Sequence, residues 1–254
     1  NRIVKKFAPI PGWSNNQVAS VTTVTPTKGI IYYTDNQLKV KISKIVKRNI
    51  ARMGLPIVSA SLKPMDFGIN LCIPMQRGYE AYFTQILKAL EASTADIIFF
   101  CEHDTLYHHS HFDFIPKDKN TYYYDDNFWR IRISDGHAIH YDTDQVNLIC
   151  AYRELLLQHY RKHLEMLKRG VSVMRMGFEP GTHNREERID DFKSQRYHAK
   201  YPSLDLRHEN NLIRSKWKQS DFRSQRNCRG WIEKEINDEI PGWGKIENII
   251  RRLK

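Results

Sequence analysis

Residues Asp96 to His111 read DIIFFCEHDTLYHHSH, the stretch that sets the expected fold. Ile97, Ile98, Phe99 and Phe100 form a short continuous apolar run bounded by polar residues. A run of that length suits a strand buried on both faces. It stops at Glu102-His103-Asp104, two carboxylates around an imidazole. In an open α/β sheet, ligands bind at the carboxyl ends of the strands. Hard divalent cations take carboxylate oxygens and fill their other positions with waters or substrate phosphates. A buried strand delivering Glu-x-Asp to a rim is therefore a candidate metal–diphosphate site. The same tripeptide also occurs in ordinary loops, so the neighbouring segments have to decide.

Upstream, GIIYYT (29–34) predicts a strand ending at Asp35-Asn36. Leu38, Ile42, Ile45, Val46 and Ile50 then recur at helical spacing until Gly54 and Pro56 stop the helix. PIVSASL (56–62) predicts a second strand. Strand, helix and strand make a βαβ unit with parallel strands and a right-handed crossover. Thr34, Asp35 and Asn36 stand at the first strand's carboxyl end, where polar groups can meet a nucleobase or ribose. Capping the following helix is the competing role for Asp35 and Asn36. Residues 63–78 read as loop, with Pro64, Gly68, Pro74 and Gly78. Tyr82, Phe83, Ile86, Leu87 and Leu90 predict a core-facing helix over 79–92, leading into the apolar strand. Residues 1–28 read as a basic, loop-like arm that lies on a substrate or covers a sheet edge.

Downstream come His103, His108, His109 and His111. No cysteine or second histidine pair completes a tetrahedral zinc set at familiar spacing, so zinc is disfavoured. Residues 122–124, 128–133 and 137–141 predict short strands separated by Asp-Asn and Asp-Gly turns, an antiparallel portion. A long helix is expected over 151–169, ending at Gly170. In MGFEPGTH (176–183), Glu179 sits in a turn bounded by glycine and proline. Such a carboxylate is placed either as a general base or as a solvated loop residue.

The 254 residues, 41% hydrophobic and 27% charged, suit one globular core with a smaller appended lobe. No apolar run approaches the roughly 20 residues of a membrane span. No signal-peptide pattern opens the chain, and its start at Asn1 rather than Met leaves room for an upstream piece, missing or removed, as an expectation only. Four scattered cysteines without a CxxC pair point to a reducing cytoplasm. The net charge of +11 attracts nucleic acid, anionic surfaces or phosphorylated small molecules. That charge gathers between Lys193 and Arg229, where Arg207, Arg214, Lys216, Lys218, Arg223 and Arg226 alternate with Tyr197, Tyr201, Trp217 and Phe222. Cations neutralise phosphates and aromatic rings stack on exposed bases, whereas a solvated basic face needs neither.

With these pieces placed, the chain resembles glycosyltransferases of the GT-A type. Glu102-His103-Asp104 stands where that family has Asp-x-Asp, with Glu in the first place, which leaves Asp104 the safer metal ligand. Glu179 follows about 75 residues later, where inverting members carry a Glu-Asp base motif, but Pro180 replaces the second acid. His208 comes about 29 residues further on, an offset at which many GT-A enzymes place a metal-binding histidine. The string YYTDN, SLKPMDFG, FFCEHDTLYH, CAYRELLLQHY, MGFEPGTH, DLRHENNL, NCRGW and PGWG is similar to a group of GT-A-like proteins of phage and bacterial genomes. More distantly, the chain is similar to transferases that glucosylate hydroxymethylated pyrimidines in DNA.

The resemblance implies a GT-A, Rossmann-like α/β fold: a mixed sheet with a mainly parallel nucleotide-binding half and an antiparallel acceptor-side portion. It implies an arm (1–28), a catalytic core (29–192) and a basic acceptor-binding segment (193–254) packed on the core. The expected donor is a UDP-sugar, UDP-glucose first, held by Thr34, Asp35, Asn36, Glu102, His103 and Asp104. Mn²⁺ or Mg²⁺ is expected on Asp104 and His208, and Glu179 as the base of an inverting transfer, with Asp142 and Asp144 next in line. The expected acceptor is a 5-hydroxymethylpyrimidine (uracil or cytosine) in double-stranded DNA, gripped by Arg207, Arg214, Lys216, Trp217, Lys218, Arg223 and Arg226. The alternatives are a surface polysaccharide or lipid-linked saccharide as acceptor, or a non-catalytic nucleic-acid-binding protein.

Overall fold

A computed structural model describes residues 25–183, 187–211 and 215–254. The arm expected over 1–28 therefore lies outside the described residues up to residue 24. Strand β1 (Lys28–Thr34) is followed by helix α1 (Val40–Ala51) and the parallel strand β2 (Ile57–Ser61), so the expected βαβ unit forms. After β3 (Ile69–Cys72) and α2 (Tyr79–Ala92) comes β4 (Ile97–Glu102), the strand of the opening apolar run. Pairing of β4 beside β1 is parallel, with Tyr33 opposite Glu102. Side chains alternate along β4. Ile97, Phe99 and Cys101 pack toward α1, while Ile98 and Phe100 pack toward α2. All five are fully buried, which is why the strand reads as an unbroken apolar run.

The chain then builds β5 (Thr105–Leu106), β6 (Thr121–Asp125), β7 (Phe128–Arg132), β8 (Ala138–His140), β9 (Ile149–Tyr152), α3 (Arg153–Lys168) and the short α4 (Val173–Met176). It closes with β10 (Lys193–Tyr197), β11 (Ser203–Arg207), β12 (Ile232–Lys234), β13 (Glu239–Ile240), β14 (Gly244–Lys245) and α5 (Ile246–Leu253). A seven-stranded sheet runs β10-β6-β9-β4-β1-β2-β3, parallel except at the pairs made by β9. A five-stranded sheet runs β12-β8-β7-β11-β5 and is mostly antiparallel. Helices α2 and α3 cover one face of the large sheet. The small sheet, α1 and α5 share the core on its other face. The result is a mixed, Rossmann-like α/β fold. No helix among the described residues is long and apolar enough to cross a membrane.

Several expectations change. The segment 63–78 is not all loop: Ile69–Cys72 pairs with β2 at the sheet edge. The strands expected over 122–124 and 128–133 do not form a hairpin. Instead Asp125-Asp126-Asn127 carries the chain from the large sheet to the small one, while β7 and β8 do pair antiparallel. The buried Asp125 carboxylate makes that passage, accepting from the backbone N–H groups of Asn127 and Ala199 and facing His111 Nδ1 at 2.8 Å. Ala151 and Tyr152, expected in the long helix, close β9, so α3 begins at Arg153. Neither Asp35 nor Asn36 caps α1, which starts behind Lys39 without a side-chain cap. The boundary expected at 193 opens β10. Residues 193–207 give a strand to each sheet.

Candidate functional site

The carboxyl ends of β1 and β4, the N-terminal turn of α2 and the last third of the chain enclose a cavity of about 600 Å³. Strand β11 completes it by pairing with β5 and donating a hydrogen bond from Leu206 N to Asp104 O, 2.8 Å. That docking brings Arg207 and His208 onto the rim where the Glu-His-Asp tripeptide ends.

Asp104, His103 and His208 each offer a ligand atom within 4.8 Å of the others. Asp104 is only 4% exposed, its Oδ2 lying 3.6 Å from His208 Nε2 and accepting from Asn211 Nδ2 at 2.6 Å. No hydrogen bond among the described residues reaches its Oδ1. Burial opposes ionisation of Asp104, but the His208 hydrogen bond and the charges of His103 and Arg207 outweigh it and hold its pKa at about 2. Glu102 goes the other way. Burial, then the charges of Asp104 and Asp205, push it up to about 8. One carboxylate kept charged beside two imidazoles fits a divalent cation with open positions, and the imidazoles favour a transition metal such as Mn²⁺ over Mg²⁺.

At the β1 end, Thr34 Oγ1 and His103 Nδ1 lie 2.9 Å apart, and Arg77 Nε donates to Asp35 Oδ2 at 2.6 Å. Arg77 also donates to Asn210 O, and Asn210 Nδ2 donates to Gln37 O, so residues 208–211 strap across the rim. Asn36, at φ 59°, turns away. Its Oδ1 accepts from Lys63 N, and it does not line the cavity. The N-terminal turn of α2 opens on the cavity through Gly78, Tyr79 and Tyr82 without a side-chain cap, leaving backbone N–H groups for an anion.

Glu179 lines the same cavity, with Asp142 and Asp144. Burial, with the charge of Asp144 adding to it, raises Glu179 to about 7. The other two acids have basic partners. Arg196 Nε donates to Asp144 at 2.6 Å, and His140 Nε2 lies 4.0 Å from Asp142.

The basic residues divide. Arg207, Lys216 and Arg226 line the cavity. Trp217 does not, since its ring lies under the Arg132 guanidinium at 4.9 Å and against His137. Lys218 and Arg223 are exposed and outside the lining, and Arg214 lies outside the described residues. The histidine cluster disperses as well: His111 is buried on Asp125, His108 lies tilted against Tyr201, and His109 is exposed. Sequence reasoning missed Arg77, Arg130 and Arg196. Arg130 donates to Asp205, Tyr141 and Gln145 at the cavity wall. It is one of two arginines in FWRIR, and its break in the apolar pattern was its one local signal. Asn210 and Asn211 follow His208 after Glu209, and that pair of side-chain amides was readable.

No protein-family model matches the sequence, and no curated protein does. Among solved structures, the mannose-1-phosphate geranyltransferase from Thermus thermophilus matches at 10% identity and a TM-score of 0.34, over 72% of this chain and 74% of that one. At that distance the likeness carries no argument, and function has to be read from the cavity.

Proposed function

We propose that the protein is a metal-dependent glycosyltransferase that moves a sugar, glucose first among candidates, from a UDP-sugar to a hydroxyl acceptor by an inverting route. What carries the reading is one cavity holding an ionised Asp104 flanked by His103 and His208, and a Glu179 held near neutrality. Asp104, His103 and His208 would hold Mn²⁺ or Mg²⁺. When bound, the ion neutralises charge developing on the departing diphosphate. Thr34 and the Arg77–Asp35 pair mark the uridine end, and Arg207 and Lys216 add positive charge beside the diphosphate. Glu179, about half ionised at neutral pH, takes the proton from the acceptor hydroxyl as the hydroxyl attacks the anomeric carbon.

The acceptor placed first is a 5-hydroxymethylpyrimidine in DNA, flipped into the cavity. The test is transfer of radiolabelled glucose from UDP-glucose with Mn²⁺ to duplexes with and without hydroxymethylpyrimidines. Label on the modified duplex alone supports the reading, and no label on either sinks the DNA acceptor. A saccharide acceptor has one observation in its favour. Arg207, Lys216 and Arg226 line the cavity, and Trp217 is covered by Arg132, so little of the basic segment forms an outward aromatic face.

A further inference from the structure

Glu179 rides on the turn at residues 177–183, which rests on the Tyr122 ring and the Tyr124 hydroxyl behind it. Gly177 and Gly181 both lie in the left-handed region, at φ 83° and 76°. The His183 ring presses on Gly177 and the Tyr122 ring on Gly181, so closely that a Cβ at either glycine would collide. Tyr124 Oη donates to Pro180 O at 2.7 Å, and Thr182 Oγ1 donates to Glu179 O at 2.8 Å. Beneath this layer stands Asp190. Its Oδ2 accepts from Tyr122 Oη and from His159 Nδ1, both at 2.7 Å, and its Oδ1 accepts from Phe192 N. Burial opposes ionisation of Asp190, but His159 and the Tyr122 hydroxyl outweigh it and hold its pKa below the ordinary carboxylate range. His159, Asp190 and Glu179 also share a cavity of about 10 Å³ behind the turn, about the room of one water.

We propose that the Asp190 carboxylate, by fixing the Tyr122 hydroxyl and His159, mounts the Glu179 turn against the substrate cavity. Asp190, Tyr122 and His159 are then positioning residues for proton removal from the acceptor. The proposal rests on Glu179 being the base. Two donors converging on one carboxylate oxygen make charge-assisted hydrogen bonds, about twice the strength of neutral ones. The Tyr122 ring they hold is the platform on which Gly181 sits, and the platform decides how deeply Glu179 is buried. Burial is the main cause of its raised pKa. The other groups facing Glu179 are Asp144 across the cavity, the hydroxyls of Tyr82 on α2, Tyr124 on β6 and Tyr160 on α3, and His183 and Arg188 across the small cavity.

The test uses Asp190→Asn and Tyr122→Phe in the full chain, with two readouts. One is Glu179's titration, read from the pH dependence of the stability gap between each protein and its Glu179→Gln partner. The other is release of UDP from UDP-glucose with Mn²⁺. The mount predicts that the titration moves from near 7 toward 4.5. It also predicts that turnover falls about 100-fold, as for a misplaced reacting group, with the KM for UDP-glucose unchanged. Titration still near 7 with turnover within about twofold of wild type overturns the proposal. Should Asp190→Asn fail to fold, Tyr122→Phe, which keeps the ring, decides alone by the same criteria. Normal turnover of Glu179→Gln sinks the base reading instead, and the titration then judges the mount by itself.

Discussion

Replacing Glu179 with Gln should kill transfer and, above neutral pH, make the protein more stable. The carboxyl titrates near 7 when folded and near 4.5 when free, because burial penalises its charged form. A group whose folded pKa is raised contributes stability fully below the unfolded value and loses it as pH rises through the folded one. The difference corresponds to about 3 kcal/mol, at roughly 1.4 kcal/mol per pH unit. Gln cannot ionise, so the variant escapes the penalty. Wild type and Glu179→Gln should match near pH 4.5 and diverge above it, the variant leading by up to about 3 kcal/mol at pH 8.5. Urea unfolding of both proteins at several pH values measures the gap. In parallel, wild-type kcat/KM should rise about tenfold per pH unit below 7 and level off above it, while Gln lowers it by roughly 10²–10⁴-fold. A gap that does not grow with pH would refute the burial of a titrating Glu179. A growing gap with unchanged turnover would leave it buried but not the base.

Other outcomes follow from the same geometry. Asp104→Asn should abolish transfer without unfolding the protein, and excess chelator should do the same to wild type, since an amide lacks the charge to hold the cation; calorimetric titration with Mn²⁺ measures the loss. His208→Ala should weaken Mn²⁺ in the same titration by less than Asp104→Asn, because a neutral ligand contributes less. If duplex DNA is the acceptor, Lys218→Ala with Arg223→Ala should make the slope of log K against log salt shallower by about one per lost contact, with UDP binding unchanged. Arg226→Ala, at the cavity wall, should instead raise the KM of donor or acceptor, read from steady-state kinetics.

Much of the β1–β4 half was legible because its signals are local. The Ile97–Phe100 run extends only to Glu102, and the period of Tyr82, Phe83, Ile86, Leu87 and Leu90 predicts α2 with its observed ends. The edge strand β3, I-N-L-C, was not legible: half-exposed positions show no core face. Ala151 and Tyr152 suit a helix by propensity, and only pairing with Ile98 and Ile97 makes them strand. The Asp125-Asp126-Asn127 turn signal was real, but which sheet receives β7 depends on β11, about 75 residues away. At the site, Glu102, Asp104, Glu179 and His208 were named by residue type and offset. Arg77, Arg130 and Arg196 were not, because a lone arginine carries no periodic signal until a fold gives it a carboxylate.

The late arrival of β11 has a consequence for the order in which the molecule is made. A chain emerging from the ribosome at about 5–20 residues per second can pair β1, β2 and β4 early. Asp104 then waits for a partner 104 positions further on. Until residues 203–207 arrive, β5 and β7 have no strand between them, and until β10 arrives β6 is an open edge of the kind that invites pairing between chains. Contacts of such long sequence separation form slowly. Asp104 and His208, the two sides of the proposed cation corner, thus meet only after residues 203–211 have been made and docked.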